Sequence, residues 1–167
     1  ILYWNSDSTN MPATMHSQYL RWMYLHNDLV KPLKISFNKV AIDVTSIDTP
    51  SFFLSTLTDH IAPWKTTWLG FHLMKGPKRF VLGGSGHIAG IINPPSLKKY
   101  NYFVNPDTAS SPEAWLEAAS EHAGSWWPEW FKWLKEYSGP SVSSPDFKNL
   151  PYQGLMAAPG SYVMKKA

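Results

Sequence analysis

The chain has 167 residues, about the length of one domain. Hydrophobic residues make up 44% and aromatics 15%, a composition that excludes a disordered polymer. The formal net charge of +3 comes without a run of like charges, which argues against nucleic acid as a partner, and no stretch approaches the ~20 apolar residues of a membrane helix.

In chain order, the opening "ILYWN" reads as strand or core. It starts on Ile1 rather than Met, which is expected of a piece of a longer protein. Ser8, Thr9 and Asn10 precede Pro12, a helix-start signal. Met11, Met15, Tyr19, Trp22, Met23 and Val30 then recur at helical spacing, and Pro32 is expected to end the helix. So wide an apolar stripe is expected to pack in a core; a cap, a dimer surface or an acyl-chain pocket is the sharper alternative. "KISFNKVAIDVTSID" is short and alternating, a hairpin or a linker. "TPSFFLSTLTD" reads as a buried strand ending at Asp59. "PWKTTWLGFHLMKG" reads as a helix that stops near Gly76, and "KRFVLGG" as the next strand. Strand, helix, strand in this order predicts a parallel pair.

After Pro94 and Pro95 a polar, tyrosine-rich loop is expected to about Ser111. Two helices should follow, in "SPEAWLEAASEHAG" and in "GSWWPEWFKWLKEYSG". Ser125 can cap the second, and Pro128 suits its first turn. Trp126, Trp127, Trp130, Trp133, Leu134 and Tyr137 share an apolar face that should pack on the sheet, or otherwise touch lipid or polymer. The last ~28 residues are rich in Pro, Ser and Gly, an irregular segment by composition.

Two motifs resemble catalytic or nucleotide-binding signatures and fail on context. Gly84-Ser85-Gly86-His87-Ile88-Ala89 fits a relaxed dinucleotide fingerprint, with Asp107 about 20 residues on. That fingerprint needs a helix opening in the glycine turn, and Pro94 and Pro95 stop any helix after about one turn. Ser85 lacks the last glycine of a nucleophile elbow and the helix behind it. The six histidines show no metal-ligand spacing. No cofactor and no metal are expected.

Asp59 and His87 remain. Each follows a strand, with one helix between. In an acid–histidine pair the carboxylate fixes the imidazole tautomer and the ring shuttles a proton for a nucleophile. From the residues alone the alternative is plain: an Asp that caps the next helix and a His on a surface loop.

"YWNSDSTNMP", "DHIAPW", "GGSGHIAGIINPP", "GSWWPEW" and the closing "APGSYVMKKA" resemble the C-terminal part of polyhydroxyalkanoate synthases, most closely class I enzymes. The resemblance implies the C-terminal half of an α/β-hydrolase fold, a parallel sheet with flanking helices, plus part of a helical cap. It places residues 1–35 in the cap, 36–140 in the catalytic core and 141–167 in an irregular tail. It implies polymerisation of (R)-3-hydroxyacyl-CoA, typically 3-hydroxybutyryl-CoA, into polyester through a Cys-His-Asp triad. By motif match His87 is the general base. Asp59 orients it and helps activate the incoming 3-hydroxyl, and His60 stands behind the pair. The chain has no cysteine, so disulfides, cysteine-ligated zinc and a cysteine nucleophile within it are excluded. The nucleophile is expected upstream of Ile1, and this chain alone is expected to be inactive. A homodimer, the rest of the synthase chain and a polyester granule surface in the cytoplasm are the implied partners. An esterase, polyester depolymerase or thioesterase on the same fold is the competing enzyme reading. A non-catalytic dimerisation or granule-binding module is the competing reading of another class.

Overall fold

The computed structural model describes residues 8, 10–107, 111–149, 151, 154–158, 160–161 and 164. The "ILYWN" opening, most of "YWNSDSTN" and much of the closing "APGSYVMKKA" lie outside the described residues. The chain divides into two units, 27–139 and 1–26 with 140–167.

The larger unit is built on strands β1 (Ile35–Phe37), β2 (Val40–Ile42), β3 (Ser51–Thr56), β4 (Lys78–Gly83), β5 (Asn101–Val104) and β6 (Ser120–Ala123). Of the two readings of this segment, hairpin or linker, β1 and β2 form the hairpin; Asn38 and Lys39, both at positive φ, make its turn. The other four strands form one sheet in the order β3-β4-β5-β6. β3 and β4 are parallel, as the strand–helix–strand pattern predicts. β4–β5 and β5–β6 are antiparallel, so the sheet is mixed rather than parallel throughout.

Two strands stand where others were expected. The segment after Pro95 contains β5, not only a loop. The helix of "SPEAWLEAASEHAG" ends at Glu117, and the chain then extends into β6. The helical propensity of Glu and Ala gives way to backbone pairing of Ser120–Ala123 with β5. All four β6 residues are exposed and three are polar, a composition that suits the outer strand of a sheet.

Helices α2 (Trp64–Leu73), α3 (Pro112–Glu117) and α4 (Trp127–Tyr137) cover the sheet. Alternation along the strands sends Phe53, Phe80, Leu82 and Phe103 to one face, where Trp64, Trp68, Phe71 and Trp115 of α2 and α3 close the core. Trp68 meets Phe80 edge to face at 5.2 Å and lies 5.4 Å from Trp115. The other face carries Phe52, packed on Trp126 and Trp133, and Arg79, paired with Glu129 of α4 at 2.8 Å. β4 is sandwiched between these layers. Phe80, Val81 and Leu82 are almost wholly buried, and their run of apolar residues follows from cover on both faces.

In the smaller unit, α1 (Ala13–Tyr19) starts directly after Pro12 and runs into a π-helical turn over Leu20–Leu25. It ends at His26, well before Pro32. No residue of α1 or its π turn is buried, and Met11, Met15 and Tyr19 are exposed. The expected core position of this stripe is not met by these three residues, while Trp22 and Met23 are half-buried. Residues 141–146 have no regular structure, in keeping with their Pro and Ser content.

The two sides of α2 predict opposite mutational outcomes. Trp68→Ala should lower unfolding stability by ~3–5 kcal/mol, whereas Leu69→Ala, on the solvent side, should stay within about 0.5 kcal/mol. Denaturant midpoints compare the two, and equal losses would contradict the packing of α2.

Candidate active site

Thr56 ends β3 opposite Gly83, which ends β4. The ladder continues past both strands: Leu57 N–H donates to Gly83 O at 2.8 Å, and Thr58 N–H to Ser85 O at 3.2 Å. Two exit loops are thereby held side by side. One carries Asp59 and the other His87.

His87 Nδ1 lies 2.8 Å from Asp59 Oδ2. The other carboxylate oxygen, Oδ1, accepts from the backbone N–H of Ile61 (2.8 Å) and of Ala62 (2.9 Å). Thr56 Oγ1 stands 3.5 Å from Oδ2. Asp59 therefore organises its own turn rather than capping α2, which begins at Trp64 behind Pro63.

The Ala62 N–H is the main influence holding the Asp59 carboxyl down at about 2, helped by His87 and the Ile61 N–H and opposed by burial. At neutral pH Asp59 is thus an anion that only accepts hydrogen bonds. Nδ1 of His87 must then carry the proton, and the neutral ring keeps its lone pair on Nε2. The side chain of Asp59 is 6% exposed and that of His87 is 45% exposed. A shielded anion fixes the ring, and the ring reaches solvent.

The loop that presents His87 is a single turn. Gly90 N–H donates to Gly86 O at 2.9 Å, closing a loop around His87. Only glycine fits at position 90, because a Cβ there would overlap Thr56 Cγ2, and Thr56 is fully buried. No helix opens in the glycine turn: a 3₁₀ turn at Pro95–Leu97 follows instead, as the proline pair predicts. The relaxed dinucleotide pattern thus lacks the helix that would face a pyrophosphate.

Asp59 and His87 are brought together. His60 is exposed and makes no hydrogen bond among the described residues. Sequence reasoning overlooked Thr56 and the amides of Ile61 and Ala62. The Asx-turn reading of "DHIAP", an Asp followed shortly by Pro, was the available signal. It also overlooked two indole contacts: Trp126 Nε1 donates to Gly90 O (3.1 Å) and Ile91 O (3.2 Å), and Trp127 Nε1 to Ile91 O (3.1 Å). Among the described residues no cluster of three or more His, Asp or Glu is placed to hold a metal ion. No helix there is long and apolar enough to cross a membrane.

No protein-family profile matches the chain. Individual proteins do. It is 42% identical over 168 residues to the poly(3-hydroxyalkanoate) polymerase subunit PhaC of Cupriavidus necator, covering 100% of this chain and 28% of that protein. It is 44% identical over 170 residues to the poly(3-hydroxyalkanoate) polymerase of Methylorubrum extorquens, again 100% and 28%. Poly(3-hydroxyalkanoate) polymerase 2 of Ectopseudomonas oleovorans is 41% identical over 167 residues, 99% of this chain and 30% of its own. The chain belongs with the C-terminal part of the poly(3-hydroxyalkanoate) polymerases. It spans 28–30% of the length of these polymerases.

The bonds to Asp59 set a pH dependence. Its carboxyl titrates at about 2 when folded against 3.8 ordinarily, so its bonds contribute stability that is fully present above about pH 4 and lost as pH falls through about 2. The stability gap between wild type and Asp59→Asn should therefore be widest above pH 4 and narrow towards pH 2. Paired denaturation curves across that range test it; a gap that does not change with pH would contradict an ionised, amide-bound Asp59.

Proposed function

We propose that this chain supplies the acid–base half of a poly(3-hydroxyalkanoate) polymerase active site. The whole polymerase moves (R)-3-hydroxyacyl groups, typically 3-hydroxybutyryl, from CoA onto a growing polyester. The observation that carries the reading is the Asp59–His87 pair: Nδ1 is bonded to a shielded carboxylate, and Nε2 has no hydrogen bond among the described residues, in a ring that reaches solvent.

In this reading the reaction uses a cysteine from other residues of the polymerase, since this chain has none. His87 Nε2 takes the thiol proton. The thiolate attacks the acyl-CoA carbonyl, the carbon–sulfur bond to CoA breaks, and the departing CoA sulfur recovers a proton from the imidazolium. The acyl group is then held as a thioester. A 3-hydroxyl gives its proton to the His87–Asp59 pair and attacks the thioester carbonyl, which forms the ester and frees the cysteine sulfur. Asp59 stabilises the imidazolium at each transfer without taking the proton itself, in keeping with its low pKa.

The same reading assigns an α/β-hydrolase fold to the polymerase, with residues 36–140 in its catalytic core, 1–35 in its cap and 141–167 in its tail. It places His60 behind the catalytic pair. It also takes the polymerase to work as a homodimer on a polyester granule in the cytoplasm.

The whole polymerase carrying His87→Gln should lose CoA release and polymer formation from 3-hydroxybutyryl-CoA by at least ~10²-fold while remaining folded. A thiol assay and polymer recovery measure the two products. Wild-type rates in that variant would refute His87 as base, and free hydroxy acid as the only product of the unmodified enzyme would make it a hydrolase.

A further inference from the structure

We infer that Trp126 and Trp127 are positioning residues for His87, acting through the backbone of its turn. The inference rests on the reading of His87 as the general base. The turn carrying His87 is closed by the Gly90 N–H to Gly86 O bond, so the Gly90 peptide fixes where the peptide of His87 lies. Gly90 is pressed on buried Thr56, its carbonyl lies against Gly83, and the Ile91 carbonyl also accepts from the Asn93 N–H at 3.0 Å. Both carbonyls are held by indoles. Trp126 Nε1–H is shared between Gly90 O and Ile91 O, and Trp127 Nε1–H goes to Ile91 O.

The tryptophans are themselves anchored. Trp126 packs against Phe52 on the sheet, and the Trp127 backbone N–H donates to Ser125 Oγ at 3.1 Å. Asn93, 2% exposed, ties the far end of the turn to the same place, its amide donating to Lys99 O (3.0 Å) and Gly124 O (3.4 Å). The start of α4 and the His87 turn are thus joined by directional bonds at several points. An indole differs from other large apolar side chains by its single N–H donor. Packing alone would be met by Phe or Leu; two N–H groups aimed at neighbouring carbonyls are a requirement for tryptophan. Neither indole reaches the His87 ring, so their effect on chemistry passes through the placement of the turn.

The test replaces the N–H and keeps the ring. In the whole polymerase, 3-benzothienylalanine is placed at position 126 or 127, and Trp126→Phe and Trp127→Phe serve as smaller-ring counterparts. Two readouts are taken: kcat and KM for 3-hydroxybutyryl-CoA, and the Nδ1–H proton resonance of His87 in histidine-labelled protein. Loss of the N–H should lower kcat on the order of tenfold, with KM within about twofold, and should broaden or shift the Nδ1–H resonance. A variant with unchanged kcat and unchanged resonance would overturn the inference. So would one that loses activity while keeping the resonance, since its defect would lie elsewhere. If the unmodified polymerase makes no polymer, the function assigned to the pair fails, yet the resonance still decides whether the indoles position His87.

Discussion

The parallel pairing of β3 with β4, carried two bonds further by the N–H groups of Leu57 and Thr58, sets the Asp59 and His87 loops side by side. Side chains that are 28 residues apart in sequence meet at 2.8 Å because their strands leave the sheet in the same direction and register. A slip of one residue would turn Phe53 and Phe80 away from the α2 face and carry the two loops out of line. The aromatic core and the catalytic geometry therefore depend on the same register. Trp68 and Phe80 stabilise the fold, and in doing so they fix which residues leave the sheet together.

Asp59 is stabilised as an anion by groups that do no chemistry. Two amides of its own turn bind one oxygen, which leaves the other for His87. Burial alone would raise a carboxyl pKa and weaken its grip on an imidazolium; the amide bonds reverse the sign. The turn that holds the acid is short because Pro63 and the start of α2 follow at once. The helix therefore does not use Asp59 as a cap, and the carboxylate stays available to the histidine.

The parts of this arrangement legible in the sequence were those with strong local signals. β3, α2 and β4 carry apolar runs set off by Pro and Gly, and Asp59 and His87 stand where those runs stop. β5 and β6 were not legible, for physical reasons. Each has four residues, "NYFV" and "SEHA", too few for alternation to stand out, and the second carries Glu and Ala, which favour helix. Their conformation is decided by pairing with a neighbour: Leu82 with Phe103, and Tyr102 with His122, which stack at 5.1 Å. The stripe on α1 failed in the opposite sense. Its periodicity gave a helix at Ala13–Leu25, but periodicity states which side is apolar, not how deeply Met15 and Tyr19 are buried or that the helix ends at His26.

The overlooked strands matter to the site. β5 runs antiparallel to β4 and β6 antiparallel to β5, so β6 points the same way as β3 and β4. Gly83, Tyr102 and His122 lie in one row across the sheet, and the exits of β3, β4 and β6 share one end of it. Gly124 N–H closes onto Tyr100 O at 2.8 Å, and the chain then enters Ser125 and the two tryptophans. Had residues 120–123 continued the α3 helix, α4 would start from the other face of the sheet, and no indole would reach Gly90 or Ile91. β6 thus carries the chain from α3 on one face to α4 on the other, and its exit adds a third loop at the end of the sheet where His87 is held.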